Sequence, residues 1–264
     1  MNATFMMKNG IMKTGDPSIG RRQKSLKRRL KVKWKMVRIK NLSNSFIVYA
    51  ILALSGGFMD AYSYLGRDKV FANSQTGNLL LLGVNIAERN WNLIPRYGLP
   101  VLFFTVGIAL AASLKYVIKK YPKLCSLFIA LIEALIMFGV MFISTEYNLL
   151  ANSLISFACG MQVEHFRRLE DQSIATTMCI GNLRAGTSAL CKAFFEKDMK
   201  HFKIGMLFYM TILTFIIGAI CGNFTLKWLG QYSLCISGVL LLIVCIIIIF
   251  DMTYKRKDKE EKTN

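Results

Sequence analysis

SFIVYAILALSGGFMDAYSYL, residues 45–65, is followed closely by VFANSQTGNLLLLGVNIA, residues 70–87. The first stretch has the roughly 20 predominantly apolar residues needed to cross a bilayer, and its one charged residue is Asp60. The second opens with a polar patch, Asn73 to Asn78, and only then turns apolar. That order suits a broken or re-entrant helix better than a plain crossing, because irregular backbone survives at membrane depth only where protein or a cavity surrounds it.

Working outward, five more runs read as spans: Leu99–Ile118, Leu124–Ile143, Leu149–Glu164, Ile204–Phe224 and Tyr232–Phe250. Ile174–Phe195 is a second mixed stretch of the same broken kind. The chain of 264 residues is 54% hydrophobic and only 19% charged, and its charges are segregated into the ends and a few links. A bilayer demands that segregation, since a charge at its centre costs about 2.5–3.5 kcal/mol or more.

The loops set the expected topology. Lys115, Lys119, Lys120 and Lys123 crowd one link, Arg167 and Arg168 follow the fourth run, Lys192, Lys197, Lys200 and Lys203 precede the fifth, and Lys255, Arg256 and Lys257 follow the sixth. Ser144–Asn148 carries only Glu146, and the link between the fifth and sixth runs has only Lys227. With the N-terminus inside, six spans place every strongly basic link in the cytoplasm, provided neither mixed stretch crosses completely. If both crossed there would be eight spans. The expected fold is thus all-α and polytopic, with six transmembrane helices and two re-entrant or broken helices. Residues 1–43 read as an unstructured basic cytoplasmic tail, 44–250 as one membrane domain, and 251–264 as a charged cytoplasmic C-terminal tail.

The net charge of +19 is mostly that first tail, which holds thirteen Lys or Arg against the single Asp16. No nucleic-acid-binding signature accompanies it, so anionic lipid is its expected partner. No apolar stretch precedes Asn44, so the tail is not a secretory signal peptide. Seven scattered cysteines, with no CxxC or Cys/His ligand spacing, read as small core residues. His165 and His201 form no HExxH pattern, so neither a metal nor a cofactor is expected.

The halves 44–146 and 147–250 resemble each other. Gly57-Phe58-Met59-Asp60 before Phe71–Leu79 matches Gly160-Met161-Gln162-Val163 before Ala175–Leu183, and Phe104…Gly107…Ala111 matches Phe215…Gly218…Gly222. With three spans per half, the second copy inserts upside down, a plan common among secondary transporters. Duplication also builds channels, scaffolds and receptors.

The same residues resemble the YoaK-like family of bacterial membrane proteins. The resemblance rests on Gly57-Phe58-x-Asp60-Ala61, Thr76-Gly77-Asn78, Leu131-Ile132-Glu133-Ala134, Gly160-Met161-Gln162 and Ala175–Gly181, and extends from about Ser45 to Phe250. It implies a multi-span protein of the cytoplasmic membrane and little chemistry. Val163, Glu164 and Ile180 depart from the family pattern, which tends to have Asn, Ala and Thr there.

The candidate site residues lie inside the apolar runs. Asp60 reads either as a proton- or cation-coupling carboxylate or as an interfacial helix cap. Glu133, mid-run, is a relay or substrate group or else an anchor bonded to another helix, because exposure to lipid is implausible. Asn73, Ser74, Gln75, Thr76 and Asn78 around Gly77 are N-cap chemistry, mirrored by Thr176, Thr177, Gly181 and Asn182 with Arg184 one turn on. Gln162 ends the fourth run. Two such helix starts meeting at the midplane would form a solute site, with a mild preference for an anion; alternatively they are packing. Gly107/Ala111 and Gly218/Gly222 read as helix-packing seams. Trp91 and Trp228 read as interface anchors.

No catalytic set is present. The functional expectation is a secondary transporter or exporter of a small solute in the cell membrane, not an enzyme. The alternative is a membrane scaffold or sensor, and self-association is left open.

Overall fold

The computed structural model describes residues 45–169 and 172–263, without the side chains of Arg168 and of residues 255–263. The expectations for the basic N-terminal tail lie outside these residues. The described chain is all-α apart from one two-stranded hairpin, Arg168–Leu169 paired with Gln172–Ser173.

The helices are α1 (Phe46–Gly66), α2 (Gln75–Ala87), α3 (Ile94–Val117), α4 (Pro122–Val140), α5 (Asn148–His165), α6 (Cys179–Glu196), α7 (Met199–Leu229) and α8 (Cys235–Thr263). Local chemistry explains several boundaries. Pro95 and Pro122 stand in the first turns of α3 and α4, where a missing N–H costs nothing. Asp198 caps α7 by accepting from the Lys200 N–H at 2.8 Å, which holds its carboxyl below the usual range. Lys197, just before it, takes the left-handed conformation that turns α6 into α7.

Four helical stretches are long and apolar enough to cross a membrane: Phe46–Gly66, Trp91–Val117, Pro122–Val140 and Met199–Tyr254. The last is 56 residues long and bends through Gly230–Leu234 into α7 and α8. At 13 residues, α2 reaches only about 20 Å, short of a roughly 30 Å hydrocarbon core. Outer faces carry Leu102, Val106, Leu110, Ile216, Ile220 and Phe224 exposed, an apolar surface suited to lipid rather than water.

The sequence run Leu149–Glu164 folds as α5 but is not among the most apolar helices. Its buried face holds Asn148, Asn152, Ser153, Ser156 and Gln162. A helix enclosed by other helices packs through small and polar groups and need not be apolar.

Helix directions follow from pairs of contacts. Leu52 and Met59 of α1, and Arg67 just past its end, meet Gln162, Cys159 and Asn148 of α5, so these two central helices are antiparallel. Leu54 and Gly66 meet Gly218 and Leu226, so α1 and α7 are parallel. Phe104 and Lys115 meet Gly160 and Glu164, so α3 and α5 are parallel.

At both of the parallel crossings the helices touch backbone to backbone. A Cβ placed on Gly57 would strike the Phe215 carbonyl, and one on Gly218 the Leu54 carbonyl. In the other pair, Gly107 faces the Phe157 carbonyl and Gly160 the Phe104 carbonyl. The sequence motifs with small residues four apart are indeed packing seams.

Each end of the bundle is tied by a buried charge. At one end, Lys123 pairs with Asp251 of α8 and Lys115 with Glu164 of α5 at 2.8 Å. Asp251, the first residue of the expected C-terminal tail, is 1% exposed. At the other end, Arg67 is fully buried. Its guanidinium donates to the Tyr62 hydroxyl, to Asn148 Oδ1 at 3.1 Å and to the carbonyls of Val140, Ile143 and Ser144. Tyr62 in turn donates to the Gln231 carbonyl at 3.1 Å.

Candidate functional site

Asp68 and Arg96 lie 4.0 Å apart, so the segment between α1 and α3 leaves and returns at one end of the bundle. In between, it dips back along α1. The Asn73 N–H donates to Asp60 Oδ1 at 2.7 Å, the Ser74 hydroxyl donates to Asp60 Oδ2 at 3.0 Å, and Asn73 Nδ2 donates to the Gly56 carbonyl at 3.1 Å. Asp60 thus sits at the start of α2 as the anion that a helix N-terminus favours. Gln75 Nε2 extends the contact to Ser156 of α5 at 3.4 Å.

The second mixed stretch does the same against the same two helices. Thr177 presses its methyl group on Gly56, and Thr176 Oγ1 accepts from Gln162 Nε2 at 2.9 Å. Both tips therefore meet at the α1–α5 crossing, with Asn73 and Thr177 each touching Gly56. Counting from Gly57 and Gly160, the position matching Asp60 is Val163, so the second tip lacks a carboxylate tether.

Asn78 and Asn182 hold these tips in shape. Asn78 Oδ1 accepts from the Phe71 N–H at 3.0 Å, and its amide donates to the Phe71 carbonyl at 2.8 Å. Asn182 does the same to Ala175, at 3.2 and 2.6 Å. Each side chain stands in for a backbone partner seven residues upstream. Asn182→Ala would leave both groups of Ala175 unpaired, and a loss of about 2–6 kcal/mol of stability is expected, at roughly 1–3 kcal/mol per buried group. Thermal unfolding in detergent checks it, with the exposed Thr187→Ala as reference.

Glu133 of α4 is 1% exposed, and among the described residues neither carboxyl oxygen has a hydrogen-bond partner. Cys159 of α5 connects it to the tips: the thiol donates to Met59 Sδ at 3.9 Å, beside Asp60, and lies within electrostatic reach of both Asp60 and Glu133. Cys245 of α8 is also within reach of Glu133. Gly77 lies under the Phe71 ring, whereas Thr76, Gly181 and Arg184 are exposed and take no part in the crossing.

Sequence reasoning missed Arg67 and Asp251. Each follows an apolar run directly, where a charge ordinarily marks the interface. Nothing in the local pattern says that one will be wrapped by helix C-termini or that the other will pair across 128 residues with Lys123.

Apolar outer faces around a polar, carboxylate-bearing centre define an integral membrane protein of packed helices. Residues 48–247 match the family described as "Protein of unknown function (DUF1275)", and the chain belongs to it. It is similar to the UPF0700 transmembrane protein YoaK of Bacillus subtilis (strain 168), at 26% identity over 180 residues, covering 65% of this chain and 79% of the relative. No solved structure matches. The resemblance read from the Gly-Phe-x-Asp-Ala and Thr-Gly-Asn motifs thus holds.

Proposed function

We propose that the protein is a secondary transporter or exporter of a small solute, and not an enzyme, built from two inverted halves with six full spans and two re-entrant helices. The observation that carries this reading is the pair of tips, 71–74 and 175–178, lodged in matching positions against the crossing of α1 and α5. The antiparallel run of α1 and α5, first helices of the two halves, supports inversion. So does the exchange of equivalent contacts, Gly57 on Phe215 and Gly160 on Phe104. Interrupted helices at such a crossing offer backbone and side-chain groups where water does not compete, and opposed halves can rock about them. The excess of Lys and Arg at the Lys115–Lys123 end supports a cytoplasmic side for that end, and with it for both termini, of a cell-membrane protein.

Single cysteines in a chain freed of its native seven test the topology. A membrane-impermeant maleimide is expected to reach Asn90→Cys only from outside and Lys197→Cys only from inside. Labelling of Asn90→Cys from the cytoplasm alone would defeat the inverted arrangement. Transport itself predicts that Ser74→Cys reacts from outside in cells and from inside in inverted vesicles, because a carrier opens to each face in turn. A scaffold would keep that centre closed to both reagents.

A further inference from the structure

Glu133 sits one side chain away from the tips, and the groups around it share a chemical sign. Asn73 Oδ1, Thr177 Oγ1, Gln162 Oε1 and both oxygens of Glu133 are buried without a hydrogen bond. They come from both tips, α5 and α4, and none is an N–H group. Asp60 is already served by the Asn73 N–H and the Ser74 hydroxyl. Among the described residues the acidic groups here have no cationic partner: Glu133 has none within electrostatic reach, Arg67 is committed at the far end, and Arg184 is exposed. The other titratable groups facing Glu133 are the thiols of Cys159 and Cys245.

Buried polar atoms are ordinarily satisfied, and buried charges are ordinarily paired. A cluster of unpaired oxygens with two carboxyl groups and no cation is the complement of a positive, N–H-bearing ligand. Resting on the transporter reading, we infer that the centre binds a small organic ammonium ion, whose N–H groups meet Asn73, Thr177 and Gln162 and whose charge is balanced by Glu133. This reverses the mild anion preference that two helix starts alone suggest, because at α2 the place of the anion is already taken by Asp60. Among the described residues no cluster of three or more His, Cys, Asp or Glu side chains could hold a metal ion, which disfavours a transition metal; sodium and potassium, which amide and hydroxyl oxygens can also bind, are therefore compared directly in the test.

The test is thermal stability of the purified full chain in detergent, titrated with methylammonium chloride. Tetramethylammonium chloride, sodium chloride, potassium chloride and sodium acetate serve at matched ionic strength. A ligand that binds only the folded form raises the midpoint with concentration. Methylammonium is expected to raise it, and tetramethylammonium, which lacks N–H groups, is not. Glu133→Gln and the isosteric Thr177→Val should each weaken the apparent affinity about tenfold or more, as expected for losing a bond to a charged group. Using two variants guards against one of them misfolding. Equal stabilisation by sodium or potassium, no stabilisation by methylammonium, or an effect that both variants retain overturns the inference. Stabilisation by acetate that Thr177→Val weakens would overturn the ligand class while leaving the transporter reading intact; that reading stands or falls on the maleimide experiment.

Discussion

Replacing Gly160 by alanine is expected to cost about 3 kcal/mol, the upper end of what overpacking usually costs. The added Cβ would point into the Phe104 carbonyl of α3, and neither backbone can yield without parting two helices along their length. Gly57→Ala, which meets the Phe215 carbonyl of α7, should cost the same within error, because the two crossings are built alike. Gly83→Ala and Gly139→Ala, where nothing lies within 4 Å, provide controls and should be neutral or slightly stabilising. Thermal unfolding and size-exclusion profiles in detergent read the difference. If all four variants behave alike, the close crossings do not hold the bundle together.

The second large effect is expected at Arg67. Alanine there removes a fully buried guanidinium and strands Asn148 Oδ1 and the Ile143 carbonyl, whereas the Val140 and Ser144 carbonyls keep the N–H groups of Ile143 and Tyr147. With two stranded acceptors at roughly 1–3 kcal/mol each and a cavity where the side chain lay, the loss should reach about 4 kcal/mol or more, enough to prevent recovery of folded protein. Lysine should rescue little. Its three donors on a flexible stem cannot span the same set of acceptors that the planar fork of arginine reaches. The partners are neutral, so high salt should not reproduce the defect. A stable, monodisperse Arg67→Ala protein would show that the three helix ends are held together by other contacts.

The long apolar runs were legible because the bilayer leaves a compositional imprint. Ser45–Leu65 and Leu124–Ile143 fall within a few residues of α1 and α4, and the broken stretch at Val70 resolves into an extended tip followed by α2. Helix ends were less legible where charge masks continuity. The run Ile204–Phe224 is the middle of α7, which begins at Met199 among lysines, and α8 continues past Phe250 through a series of charged residues. The candidate site was legible in part. Polar residues inside apolar runs are conspicuous, so Asp60, Asn73, Thr177, Gln162 and Glu133 stood out. Asn78 and Asn182 stood out equally, yet their partners are backbone groups seven residues away, which no composition or spacing distinguishes from a ligand site. Arg67 was hidden for the opposite reason: its position in the chain is ordinary, and only the tertiary wrapping makes it unusual.

Asp60 has no acidic counterpart, since Val163 stands at the matching position. One tip is moored through both carboxylate oxygens, whereas the other depends on the single Gln162–Thr176 contact and on packing against Gly56. Any rocking about the α1–α5 crossing would therefore meet less resistance on the side of α6. On the proposed transporter reading, two related halves would then give a machine with one fixed jaw and one working jaw.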